Sequence, residues 1–420
     1  MHLEPLGRFL IAVGFIVAVC HLGGLLCLKV RQPPVIGEIA AGLLLGPSVL
    51  DSVAPAVRQT LFTADVLDAV AMAAQLGLVM FMFLLGSELR VDHVRGNGRA
   101  VGFVVAGSIC LPFAAGVGFA LLTRPAFVAP GAATAAYAVF LGLAMSITAL
   151  PVLARILADA RAETSFVGTV AVMSAAVGDA LAWAALTVIL AVTGGGSPVE
   201  MVVRAALALG LGLCTVFVVR PGVRLFLGRV APGGRLVVPA LVVGATVFAA
   251  TTDVLGLHPV IGAFLFGLAM PRDSAVLGWA NAQLRGFAVG VLLPLFFASV
   301  AMKTAFEAFD TVGNWLLLAV ALAVATGAKF VGATGGALLA GVDRGQAVQL
   351  GALMNCRGVT ELVIATVGLQ QELINEFGYT VLVLVALVTT ALTGPLARLR
   401  PEEPHHAPEL GSRGFARVDR

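Results

Sequence analysis

The chain reads as an all-α polytopic membrane protein of about thirteen transmembrane helices. Three observations predict this: 59% of its 420 residues are hydrophobic, only 12% are charged, and its mean hydropathy is +1.01. A soluble domain carries about 25% charged residues, and half that density cannot cover a water-facing surface. The same figures exclude a disulfide-framed secreted scaffold and a disordered chain. A net charge of +3 gives no basic field for nucleic acid. Five cysteines, Cys20, Cys27, Cys110, Cys214 and Cys356, lie in apolar segments with no CxxC or Cys/His pattern, so no thiolate metal site is expected.

A crossing needs about 20 apolar residues. Apolar runs between charged or Pro/Gly-rich breaks fall at 6–28, 34–50, 65–87, 100–122, 134–158, 164–192, 199–219, 236–253, 259–271, 284–302, 313–340, 347–369 and 376–397. The first is too long for a signal-peptide core and reads as a retained helix. The second and ninth are short for a full crossing. The fifth holds Pro151, which removes a donor and disfavours helix at Leu150. The twelfth holds the polar stretch Asn355-Cys356-Arg357-Gly358. Residues 398–420, with Pro401, Pro404 and Pro408, read as a short disordered tail. No P-loop and no soluble module appear, so an ion gradient or passive flow must supply the energy.

The basic residues set the orientation. With thirteen spans and the N-terminus outside, the inner loops and tail take most of the arginines, including Arg31, Arg99, Arg220, Arg224, Arg229, Arg235 and Arg344. The outer side takes Arg8, Arg58, Arg124 and Lys303. That asymmetry obeys the positive-inside rule.

The chain also repeats itself. Pro34-Val35-Ile36-Gly37 recurs as Pro259-Val260-Ile261-Gly262, and Gly42-Leu43 recurs at the same spacing as Gly267-Leu268. Leu76-Gly77-Leu78-Val79 through Phe83 matches Val289-Gly290-Val291-Leu292 through Phe296. The copies are seven spans apart, an odd offset that turns them in opposite directions. Inverted repeats of this kind mark secondary transporters.

Charges in the bilayer core are costly, roughly 2.5–3.5 kcal/mol even on lenient scales. Those placed deep here are Glu38, Arg155, Asp179, Lys329, Arg357 and Glu361. Asp179 sits mid-span in an otherwise apolar helix that also carries Ser174. A carboxyl there holds a proton or a cation but not both, the chemistry of a proton/cation exchanger; a structural ion pair with Lys329 or an arginine is the other reading. Lys329, mid-span eleven, is able to give up its charge on burial, as Arg is not. It is expected either to pair with Asp179 or to neutralise the broken-helix region. Non-helical backbone at membrane depth occurs only where protein or a cavity covers it, so spans five and twelve are expected to be broken and to present free carbonyls and opposed dipoles to an ion. A plain proline kink, and an ion pair of Arg357 with Glu361 on one helical face, remain open. Glu38 lies near the inner end of span two. His258, on an outer loop, is open to neutral-pH titration or to a plain loop role.

Several stretches carry a resemblance: Arg31-Gln32-Pro33-Pro34-Val35-Ile36-Gly37-Glu38-Ile39 with Gly42 to Ser48, Leu153-Ala154-Arg155-Ile156-Leu157, Thr252 to His258, Leu293 to Ser299, and Gly351 to Gly368. Together they resemble the monovalent cation:proton antiporter-2 family. Met354-Asn355-Cys356-Arg357-Gly358-Val359-Thr360-Glu361-Leu362 is similar to its plant-type cation/H⁺ exchanger branch. The resemblance runs from about residue 6 to 397. It implies a sodium/proton antiporter fold with two broken, crossing helices. It also implies a dimerisation part over about 6–87 and 199–302, and a mobile core over about 100–192 and 313–397. It puts the ion-binding aspartate on Asp179 and the core lysine on Lys329, with Ser146, Thr148, Asn355 and Ser174 as candidate oxygen ligands. Arg155, Arg357, Glu361 and Glu38 are supporting charges.

By the same resemblance the protein is a homodimer in the bilayer of a bacterial cytoplasmic membrane, with its C-terminus inside. It exchanges Na⁺ or K⁺ for H⁺ by an elevator movement, without a resident cofactor. One departure stands out: Gly178 precedes Asp179 where the family commonly has Asn, Asp or Gln. A single carboxylate implies one H⁺ per cation and electroneutral exchange. The chain shows no nucleotide-binding tail of the kind that gates the glutathione-controlled potassium efflux members. Gly178 and Arg357 also fit an alternative, an exporter of an organic or anionic solute on the same fold.

Overall fold

The computed structural model describes residues 4–88, 97–159, 162, 165–193, 198–255, 258–304 and 306–397. The expected tail lies outside them. Apart from one isolated bridge, Val128 to Ile374, the described residues form helices, turns and loops.

The first half runs α1 (Pro5–Lys29), α2 (Pro34–Leu45), α3 (Pro47–Val53), α4 (Pro55–Leu61), α5 (Ala64–Glu88), α6 (Gly98–Phe127), α7 (Thr134–Ser146), α8 (Leu150–Asp159) and α9 (Phe166–Thr193). The second runs α10 (Pro198–Cys214), α11 (Arg220–Arg229), α12 (Val237–Val254), α13 (Pro259–Leu268), α14 (Ala275–Phe287), α15 (Leu293–Ala301), α16 (Val312–Leu339), α17 (Arg344–Leu353), α18 (Val359–Gln370) and α19 (Glu376–Ala397). Several open on a proline at the first or second position, where a missing N–H costs nothing.

Among the described residues nine helices are long and apolar enough to cross a bilayer. The other expected spans are not single uninterrupted helices. Span two breaks at Gly46-Pro47, with α2 and α3 bent by 57°. Spans five and twelve each divide into two helices, and span nine is the ten-residue α13. Span seven runs on past 219 to Arg229 through a π turn at Thr215–Val219, and span ten begins at Ala275 and contains a second π turn at Ala288–Leu292. Each π turn leads into a proline, Pro221 and Pro294. An interior proline removes one backbone bond and clashes with the carbonyl four residues back; the widened turn absorbs both effects without ending the helix.

Small residues set the closest helix contacts, as expected where lipid supplies no hydrophobic drive between helices. α6 lies against α16 so tightly that a Cβ on Gly107 would stand 2.0 Å from the Gly332 carbonyl oxygen. α2 meets α15, where a Cβ on Gly42 would lie 2.7 Å from Ala298 Cα. α13 meets α5, where one on Gly267 would lie 2.4 Å from the Phe83 carbonyl oxygen. The repeated segments therefore exchange partners. α13 is the copy of α2, and α14–α15 the copy of α5, so each short helix packs on the long helix of the other copy. α19 is tied to this group at both ends: Tyr379 Oη donates to the Val300 carbonyl (2.7 Å), and Gln32 Nε2 to that of Ala391 (3.1 Å).

Candidate functional site

The two divided helices meet. α7 stops at Ser146, residues 147–149 are non-helical, and α8 starts at Leu150, so Pro151 falls in a first turn. α17 stops at Leu353, and α18 starts at Val359 after the non-helical stretch 354–358. The Ala149 N–H donates to the Cys356 carbonyl (3.0 Å) and Thr148 Oγ1 to that of Met354 (3.0 Å). The whole junction is buried: Ser146, Thr148, Asn355, Arg357, Thr360 and Glu361 are all shielded from solvent.

A helix end leaves its last four carbonyls without partners and carries a partial negative charge. At α7 all four are satisfied. Ser146 Oγ donates to the Leu143 carbonyl (2.8 Å), Arg357 Nη1 to Ala144 (3.0 Å), Arg357 Nη2 to Met145 (2.6 Å), and Lys329 Nζ to Ser146. Two formal cations thus cap one helix end. Arg357 Nη1 also binds Glu361 Oε1 at 2.8 Å, and its backbone N–H donates to Thr390 Oγ1 at 3.1 Å. The expected Arg357–Glu361 pair is present, but not on one helical face: Arg357 lies in the non-helical stretch and Glu361 in the first turn of α18.

The α17 end is closed by neutral groups. Asn355 Nδ2 donates to the Gly351 carbonyl (3.0 Å) and Thr148 Oγ1 to that of Met354. Asn355 Oδ1 is left without a partner.

Asp179, fully buried on α9, faces the start of α8. Its Oδ2 accepts the Leu150 N–H at 3.3 Å, the positive end of that helix, and its Oδ1 has no hydrogen-bond partner. Thr360 stands beside the carboxyl with its hydroxyl toward it, and Ser174 Oγ on the same helix as Asp179 is buried and unpartnered. Orphaned buried oxygens are rare, and each calls for an explanation. Lys329 does not pair with Asp179; its ammonium is engaged by the Ser146 carbonyl.

Glu38 lies apart from this junction, on the wall of a cleft of about 530 Å³. One wall of the cleft carries Glu38, Leu85 and Phe297; the other carries Leu150 and Val359, the first residues of α8 and α18. It therefore ends at the backbone whose N–H holds Asp179. The Arg155 side chain lies outside the described residues, although its backbone belongs to α8. His258 caps α13 through Nδ1, and desolvation holds its imidazole at about 4 although Asp253 pulls the other way, so neutral-pH titration is not its role.

The family model for "sodium/hydrogen exchanger, transmembrane" matches residues 14–398. The chain belongs to the sodium/hydrogen exchanger family. It is an integral membrane protein. It is 32% identical to the Na(+)/H(+) antiporter NhaS4 of Synechocystis sp., over 93% of this chain and 96% of that one. It is 35% identical to cation/H(+) antiporter 20 of Arabidopsis thaliana, over 92% of this chain and 47% of the relative, so it spans about half the length of the plant relatives it matches. Its fold is that of the sodium proton antiporter MjNhaP1 of Methanocaldococcus jannaschii, with a TM-score of 0.71 over 94% of this chain and 97% of that one at 13% identity.

Within this exchanger-family fold, sequence reading missed Thr360 and the Leu150 N–H as neighbours of Asp179. Thr360 lay inside a quoted motif, and its position in the first turn after a break was the available signal. The backbone donor had none.

Proposed function

We propose that the chain exchanges a monovalent cation, Na⁺ or K⁺, for protons across a membrane, with Asp179 as the site the two share. The observation that carries this is the buried Asp179 carboxyl, fixed through Oδ2 to a helix N-terminus, beside the Thr360 hydroxyl and, among the described residues, without a basic side chain in direct contact. A proton on the carboxyl, or a cation among oxygens such as those of Asp179, Thr360, Ser174 and Asn355, would satisfy it, since hard cations prefer oxygen ligands. Lys329 and Arg357 are engaged at the α7 end and Glu361 by Arg357. One carboxyl is thus left to exchange one proton for one cation, an electroneutral cycle. Gly178 adds no second group, and a Cβ there would meet nothing within 4 Å.

Counting α2 with α3, α7 with α8, and α17 with α18 as broken crossings, and α13 as a short one, the chain crosses thirteen times, N-terminus outside and C-terminus inside a bacterial cytoplasmic membrane. α1–α5 with α10–α15 form a static dimerisation part, α6–α9 with α16–α19 a core, and the core slides as an elevator within a homodimer. The cleft between Glu38 and Leu150 is then the route from the inner side.

The cleft volume favours a second reading, export of a small organic or anionic solute, since small-molecule pockets run roughly 300–1,000 Å³. Arg357 gives that reading no help, being committed to carbonyls and Glu361. Proteoliposomes with an imposed proton gradient separate the two. Addition of Na⁺, K⁺ or Li⁺ is expected to collapse the gradient with wild type and not with Asp179→Asn of equal thermal stability. No response of folded wild type to any cation would overturn antiport and leave the export reading.

A further inference from the structure

A second hollow of about 570 Å³ adjoins the cleft, lined among others by Ser87, Arg272 and Asn281. The two cavities share two lining residues, Glu88 and Arg285. These form an ion pair between the end of α5 and α14, with side chains 41% and 53% exposed, so the pair stands in reach of ions rather than sealed. Among the described residues, the charged side chains that line the cleft are Glu38, Glu88 and Arg285. The hollow has Glu88, Arg272 and Arg285.

α5 and α14 pack on each other, so the pair joins two elements of the cleft other than α8 and α18. Low-dielectric walls focus the field of charges at a mouth. Most of the other cleft residues, such as Phe81, Leu84, Leu85, Val289, Leu293 and Phe297, are apolar and add no competing charge.

We propose that Glu88 and Arg285 form the charge filter at the mouth of the cation route, Glu88 cancelling an arginine that would otherwise repel the incoming cation. The pair then sets the apparent affinity for the cation and not the rate of the exchange step. The inference rests on the antiport reading above.

The test is cation-dependent gradient collapse in proteoliposomes of the full chain, recording KM and kcat for wild type, Glu88→Gln, Arg285→Gln and the double variant, each checked for equal thermal stability. One unit charge near a focused mouth changes local cation concentration about two- to ten-fold at low salt. Glu88→Gln is expected to raise KM by that factor and Arg285→Gln to lower it. The double variant, which keeps the summed charge, is expected to return close to wild type, with kcat little changed throughout and the differences shrinking at high ionic strength. A merely structural ion pair predicts something else: both single variants impaired in the same direction, with no restoration in the double. That result, or unchanged KM in all three with wild type active, would overturn the filter alone. Absence of cation exchange by wild type would overturn the antiport reading and the filter with it.

Discussion

At the α7–α8 break, the carbonyls of Ala144, Met145 and Ser146 are held by a guanidinium and an ammonium. At the α17–α18 break, the carbonyls of Gly351 and Met354 are held by an amide and a hydroxyl. Both junctions solve the same problem, the unsatisfied polar end of a helix in a medium without water. They differ in the charge brought in. At one end a fixed guanidinium charge and the Lys329 amino group occupy the carbonyls that a further cation would need. Neutral caps at the other leave Asn355 Oδ1 free, and Thr360, in the first turn after that break, stands beside the Asp179 carboxyl held at the start of α8. Helix breaks alike in outline are thus assigned different tasks by the donors that close them.

The comparison breaks most sharply at Arg357. Arg357→Ala removes three side-chain hydrogen bonds at once and strands Glu361 as a buried unpaired carboxyl. Breaking a buried pair from one side costs about 3–5 kcal/mol, so the variant is expected to melt far below wild type in detergent, with Arg357→Lys intermediate because an ammonium lacks the fork. A melting point within a degree or two of wild type would refute the capping account.

Lys329→Gln comes next. Loss of the charged donor to Ser146 is expected to cost about 1.5–3 kcal/mol. Because Lys329 is hydrogen-bonded to a carbonyl and not to Asp179, its coupling to Asp179→Asn in a double-mutant cycle is expected at about 0.5–1 kcal/mol, below the roughly 3–5 kcal/mol of a direct buried pair. A larger coupling in a double-mutant cycle would show the lysine to be the counter-ion of the aspartate after all.

At the neutral break the expected effect is smaller. Thr148→Val leaves the Met354 carbonyl without its hydroxyl donor, at about 1 kcal/mol. If chemical-denaturation midpoints placed Thr148→Val beside Arg357→Ala, the two breaks would not differ as described.

The smallest effect sharpens the comparison from outside. The His258 imidazole is depressed from 6.5 to about 4. The unfolded chain takes up a proton below about 6.5 that the folded one refuses, so this residue's contribution to stability is lost as the pH falls from about 6.5 toward 4 and is constant above. The pH–rate profile of His258→Gln between pH 7 and 9 should therefore overlay that of wild type.

Much of this was legible in the chain because hydropathy reports burial in lipid directly. The helix bounds at Pro5–Lys29, Ala64–Glu88 and Glu376–Ala397 lie within a residue or so of the apolar runs. Asp179, Lys329 and Arg357 announced themselves as charges where charges are costly. What they touch was not legible. Pro151 drew attention to span five, yet the non-helical residues are the three before Leu150, because a proline fits the first turn of a new helix. That Arg357 reaches back across some 210 residues to Ala144 and Met145 depends on the crossing of two segments, which no local pattern encodes. The π turns before Pro221 and Pro294 escaped for a similar reason: composition marks the proline, not the way the preceding turn yields to it.

The exchange of partners between the two repeated pairs bears on how the protein is made. Gly42 finds Ala298 only when the chain has grown by some 250 further residues, and Phe83 of α5 waits about 180 for Gly267 of α13. At roughly 5–20 residues per second of synthesis, α2 spends on the order of ten to fifty seconds in the membrane with its α15-facing side uncovered, while its closer contact, Gly37 against Gly23 of α1, forms early. A ribosome stalled, or a chain cut, between the copies would leave a first half in which the Gly42 face of α2 and the Phe83 face of α5 have no counterpart. Each half thus completes its packing only on the other, and quality control acting on this protein must tolerate a long-lived, half-assembled bundle before it can judge a finished one.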